Sequence, residues 1–130
     1  MASAWPVSRR DLRLERISGQ PSFTVSRVGP PIPYQPVAPL LILAGEKDDW
    51  TPAERCRRLA EDSRAAGYPV TIKIYPGAHH SFDSPNPERF VPTRVNPNAP
   101  GGRGATTGGN PAAWADSIRE VEAFFGRHLR

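Results

Sequence analysis

The sequence predicts an α/β fold on three observations. Residues 39–44 form an apolar run without alternation, a capped amphipathic helix follows at once, and residues 70–75 alternate apolar and polar. A run such as Pro39-Leu40-Leu41-Ile42-Leu43-Ala44 suits a strand covered on both faces, as in a parallel sheet. Gly45 closes it. Thr51 is a good N-cap, Pro52 suits the first helical position and Glu54 completes a capping box, so a helix is expected over about 52–66. Cys56, Leu59, Ala60 and Ser63 share its apolar face. Arg55, Arg57, Arg58, Glu61, Asp62 and Arg64 face water, and Gly67 supplies the stop. Val70, Ile72 and Ile74 alternate with Thr71, Lys73 and Tyr75. Strand, helix and strand make a βαβ unit with parallel strands and a right-handed crossover. A closing helix is expected over about 112–129, capped by Asn110-Pro111, with Trp114, Ile118, Val121 and Phe125 as its apolar stripe.

The remainder is poor in packing signals. The 130 residues include 16 prolines and 11 glycines. Residues 1–35 read as a poorly ordered lead-in, too rich in proline for a strand. Residues 84–111 hold six prolines and five glycines and read as a long surface loop. Two parallel strands alone leave both sheet edges uncovered, so residues 36–130 read as part of a larger fold. An uncovered apolar edge is also a template for self-association.

Several classes of function are excluded. The net charge of +4 is spread along the chain, whereas nucleic-acid binders concentrate theirs, so no nucleic-acid partner is expected. One cysteine, Cys56, rules out a disulfide framework and a multi-cysteine zinc site. His79 and His80 fall short of a metal ligand set, so no metal is expected. The longest apolar run is too short to span a bilayer, so no membrane partner is expected. No apolar stretch follows Arg9-Arg10, so a cytoplasmic location is expected.

Functional groups of open α/β sheets gather beyond the carboxyl ends of the strands. Two loops leave that edge here, Gly45-Glu46-Lys47-Asp48-Asp49-Trp50-Thr51-Pro52 and Tyr75-Pro76-Gly77-Ala78-His79-His80-Ser81-Phe82-Asp83. They bring an aspartate and a histidine, distant in sequence, to one place. Such a pair is two parts of a nucleophile–base–orienter system. The first loop resembles the acid loop of α/β-hydrolases, G-x-x-D-x-x-x-P, and the second their histidine loop, Y-x-x-A-x-H-G-F. The Asp-Asp-Trp-Thr-Pro wording, the His-Ser-Phe-Asp ending and the late Gly-Asn-Pro-Ala-Ala-Trp are most similar to the dienelactone hydrolase family.

The resemblance covers about residues 36–130 and implies the C-terminal portion of an α/β-hydrolase fold. It implies Asp48 as the acid, His80 as the base and Trp50 as a pocket wall, with Ser81 in place of the family's usual glycine. The family's nucleophile sits in a G-x-C-x-G or G-x-S-x-G elbow upstream of the acid, and this sequence has none. Cys56 lies on a helix face that points to the core. The expected activity is hydrolysis of small-molecule carboxylic esters or lactones without a cofactor, with this chain a truncated or inactive form. The alternatives are a non-catalytic remnant or interaction module, and the C-terminal part of another α/β-hydrolase such as a peptidase or esterase.

Overall fold

A computed structural model describes residues 34–129, so most of the lead-in at 1–35 lies outside the described residues. Strand β1 (Leu40–Gly45), helix α1 (Ala53–Ala65) and strand β2 (Val70–Tyr75) form the expected βαβ unit. The strands are parallel and in unbroken register from Leu40 opposite Val70 to Gly45 opposite Tyr75.

Side chains alternate across this pair, which is why an all-apolar β1 needs cover on two sides. On one face Leu40, Ile42 and Val70 pack with Cys56 and Ala60 of α1, joined by Ala44, Leu59, Tyr68 and Ile72. On the other, Leu43 and Tyr75 meet Ala78, Phe82 and Ala113. Ala113 belongs to helix α2 (Pro111–His128), where Asn110 caps the first turn by accepting from the Ala113 amide at 3.0 Å. Among the described residues no helix is long and apolar enough to cross a membrane.

Three expectations are corrected. Residues 84–111 are not a plain loop, because they contain an antiparallel hairpin of β3 (Arg89–Val95) and β4 (Arg103–Thr107). The ladder shifts register between Val91 and Val95, and Pro92 falls in that irregular stretch, where a missing N–H is tolerated. Gly104 takes a φ of 97°, with the Phe90 ring over the place a side chain would fill. Hydrogen bonding rather than apolar periodicity organises the hairpin. Asn96 is fully buried and donates to the carbonyls of Asp49 at 2.9 Å and Gly104 at 2.8 Å.

The second correction concerns α2. Its buried residues are Ala113, Ser117 and Phe124, one position before the expected stripe, and Ile118 is 49% exposed. Small side chains let the helix approach the sheet, and a polar clasp holds its rotation. Lys73 Nζ lies 2.5 Å from Asp116 and 2.7 Å from Glu120, and the Tyr75 hydroxyl donates to Asp116 at 3.1 Å. Burial and the Asp116 carboxylate push the Tyr75 phenol up to about 12. The third correction is at the start of α1. Pro52 occupies the N-cap position, no side chain caps the helix, and the Thr51 hydroxyl is used elsewhere.

Gly45 is required by close approach. A Cβ there would run into the Ala78 carbonyl. We expect Gly45→Ala to cost about 1–3 kcal/mol, the usual penalty of forcing atoms into a packed site. A lowered urea midpoint by tryptophan fluorescence would show it, and an unchanged midpoint would contradict the packing described.

Candidate active site

The loops after β1 and β2 are stitched together before any functional side chain is considered. Glu46 N donates to Tyr75 O at 2.9 Å and Lys47 N to Ala78 O at 2.9 Å. Gly77 N donates to Glu46 Oε2 at 2.9 Å. His79 Nδ1 lies 2.9 Å from the Lys47 carbonyl, so that nitrogen carries the proton, and Nε2 lies 3.4 Å from Glu88. His79 therefore ties loops together and points away from Asp48.

Asp48 and His80 meet inside this frame, with Oδ2 to Nδ1 at 3.0 Å and side chains 9% and 5% exposed. Asp48 Oδ1 accepts from the amides of Trp50 at 3.0 Å and Thr51 at 2.7 Å. Oδ2 accepts from the Thr51 hydroxyl at 2.8 Å as well as from His80. Burial pushes the Asp48 carboxyl up, but the hydrogen bonds from His80 and Thr51 together outweigh it and hold the group below its ordinary range. An ionised carboxylate only accepts, so Nδ1 of His80 carries the proton. Nε2 has no hydrogen-bond partner among the described residues.

The backbone of His80 is fixed from the other side. Its carbonyl accepts from Gly108 N at 2.9 Å and Thr107 Oγ1 at 3.1 Å. The next residue, Ser81, holds a left-handed φ of 59°, a conformation glycine takes without steric cost. Trp50 lies against the imidazole, with ring centroids 4.7 Å apart, and the Arg94 guanidinium sits 5.0 Å from the indole.

The adjacent aspartates are divided in their contacts. Asp49 turns to the hairpin and accepts from Thr106 N at 2.9 and 3.1 Å. Cys56 is buried on the core face of α1, where burial and the Asp48 charge push its thiol up and keep it neutral. Among the described residues no group of three or more His, Cys, Asp or Glu side chains is placed to hold a metal. The sequence marks Thr51 only as a helix cap and does not mark Asn96 at all. The Asp-x-x-Thr spacing carried a signal, since a short acidic side chain closing a turn onto the amides two and three residues on is a common local motif.

Residues 32–129 match the dienelactone hydrolase family, and the chain belongs to that family. That places the α/β unit described above in the α/β-hydrolase fold class. Two solved structures are similar to it. One is a candidate dienelactone hydrolase from Klebsiella pneumoniae, with 22% identity, a TM-score of 0.48, and coverage of 70% of this chain and 30% of that one. The other is a thermophilic esterase from Thermogutta terrifontis with propionate bound, with 20% identity, a TM-score of 0.47, and coverage of 68% and 25%. This chain thus spans well under half the length of either structure. No curated protein matches it.

The lowered Asp48 pKa sets a pH dependence. A carboxyl whose folded value lies below its unfolded value contributes stability above the unfolded value, about 3.9, and loses it as pH falls through the folded value. The urea midpoint of the wild type is therefore expected to fall more steeply below about pH 4.5 than that of Asp48→Asn. Parallel profiles for the two proteins would contradict the bonding given to Asp48.

Proposed function

We propose that this chain carries the acid and base of a hydrolase acting on small-molecule carboxylic esters or lactones, with the nucleophile supplied by polypeptide outside this sequence. The observation that supports it is the imidazole of His80, tied at Nδ1 to an ionised Asp48 and, among the described residues, without a hydrogen-bond partner at Nε2. Nε2 would accept the proton of a hydroxyl or thiol as that group attacks the ester carbonyl. It would return the proton to the leaving alkoxide, and a water activated in the same way would release the acyl group. Asp48 would stabilise the imidazolium formed in each half-reaction. Trp50, against the ring, would form one wall of the substrate pocket.

By itself the chain would then be inactive, because no G-x-C-x-G or G-x-S-x-G elbow occurs in it and the thiol of Cys56 is buried and neutral. One observation favours a second reading as a non-catalytic interaction module. Among the described residues β1 pairs only with β2, and a strand edge without a partner is a template for another chain.

p-Nitrophenyl acetate hydrolysis separates the readings. The chain alone should show no turnover above buffer, with His80→Ala indistinguishable from it. Fast turnover abolished by His80→Ala would overturn the claim that the nucleophile lies elsewhere. A version extended upstream to include an elbow should turn over, and His80→Ala should slow it about a hundredfold or more. No turnover in the extended version would favour the interaction module.

A further inference from the structure

We infer that Thr51 is a positioning residue for His80, its hydroxyl bridging the Asp48 carboxylate and the imidazole Nδ1 so that the ring is held by two oxygens rather than one. The inference rests on the Asp48–His80 reading above. Thr51 Oγ1 lies 2.8 Å from Asp48 Oδ2 and 3.1 Å from His80 Nδ1, while Oδ2 itself lies 3.0 Å from Nδ1. The three atoms close a triangle in which the direction of each proton is determined. The carboxylate can only accept, so the single hydroxyl proton goes to Oδ2. The hydroxyl oxygen then turns its lone pairs to the Nδ1–H, which is shared between Oγ1 and Oδ2.

This hydroxyl is preset. The Thr51 amide is anchored to Asp48 Oδ1 at 2.7 Å, and the β-branched side chain has few rotamers to lose. Helix α1 meanwhile starts without a side-chain cap, although the residue suited to cap it stands one position before Pro52. The oriented O–H dipole has its negative end at the imidazole and its positive end at the carboxylate. Its negative end faces the Nδ1–H and so interacts with whatever positive charge the ring carries.

The other charged or titratable groups near the ring are engaged elsewhere. Arg94 lies over the Trp50 indole, His79 bonds Lys47 O and faces Glu88, Asp49 holds Thr106 N, and the Cys56 thiol is neutral. None of them is touched by a change at position 51.

The test is deuterium exchange at the imidazole Cε1 of the full chain as a function of pH. Peptide fragmentation resolves His80 from His79, and the method works at low micromolar concentration. The rate follows protonation of the ring, so its midpoint reads the bridge. Thr51→Val, which keeps the shape and removes the hydroxyl, is expected to move the His80 midpoint down by about half a pH unit or more. Thr51→Ser should restore the wild-type midpoint, and the His79 midpoint should stay fixed in all variants. A His80 midpoint in Thr51→Val equal to that of the wild type would overturn the proposal. If the valine variant loses its fold, Thr51→Ala supplies the same comparison. Asp48→Asn separates the two levels of the argument. Should it leave the His80 midpoint unmoved, the Asp48–His80 reading itself fails. Should it lower the midpoint while Thr51→Val does not, only the role of Thr51 fails.

Discussion

The parallel register of β1 and β2 is the constraint on which the site depends. It ends both strands side by side, Gly45 beside Tyr75, so the acid and histidine loops leave the sheet together. That placement requires β1 to be apolar on both faces, which requires α1 on one side and α2 on the other. Gly45 then lets the histidine loop pass against the end of β1, and backbone hydrogen bonds lock the two loops. The 3.0 Å contact of Asp48 with His80 is the last step in that sequence, made possible by packing far larger than itself.

A second layer of polar contacts fixes what the sheet leaves free. The hairpin reaches back to the acid loop through Thr106, Asn96 and Asn98, which bond the Asp49 carboxylate, the Asp49 carbonyl and the Trp50 carbonyl respectively. A buried amide such as Asn96 is expensive to leave unpaired, so its bonds specify one arrangement of hairpin and loop. The two adjacent aspartates thereby have separate duties: Asp48 faces the imidazole and Asp49 anchors the loop that presents it. Trp50 contacts both the His80 ring and the Arg94 guanidinium.

The βαβ unit was legible because its determinants are local and apolar: an unbroken run at 39–44, a helical period through Cys56, Ala60 and Ser63, and an alternating 70–75. Loop position brings an aspartate and a histidine to one edge, since parallel strands leave few places for their loops to go, while the choice of Asp48 over Asp49 and of His80 over His79 rests on the family resemblance. The hairpin was not legible. Its prolines and glycines look like loop, and what holds it is buried Asn96, a register shift around Pro92 and bonds to residues some fifty positions earlier. The buried face of α2 lies one residue before the expected stripe because small Ala113 and Ser117 are buried while larger Trp114 is half-buried and Ile118 exposed. Hydrophobicity ranks those pairs the other way. Thr51 reads as a cap in the sequence because threonine before proline is suited to capping, and only the folded loop shows a nearer carboxylate.

The proposed role of His80 requires Asp48 to fix the ring proton on Nδ1 and leave Nε2 unprotonated. The 15N chemical shifts of the His80 imidazole, recorded on the full chain above the pH at which the ring is neutral, test it most directly. The account predicts a protonated Nδ1 coupled to its hydrogen and an Nε2 in the unprotonated range, with that pattern lost in Asp48→Asn. A His80 ring that carries its proton on Nε2, or that exchanges freely between the two tautomers, would contradict it.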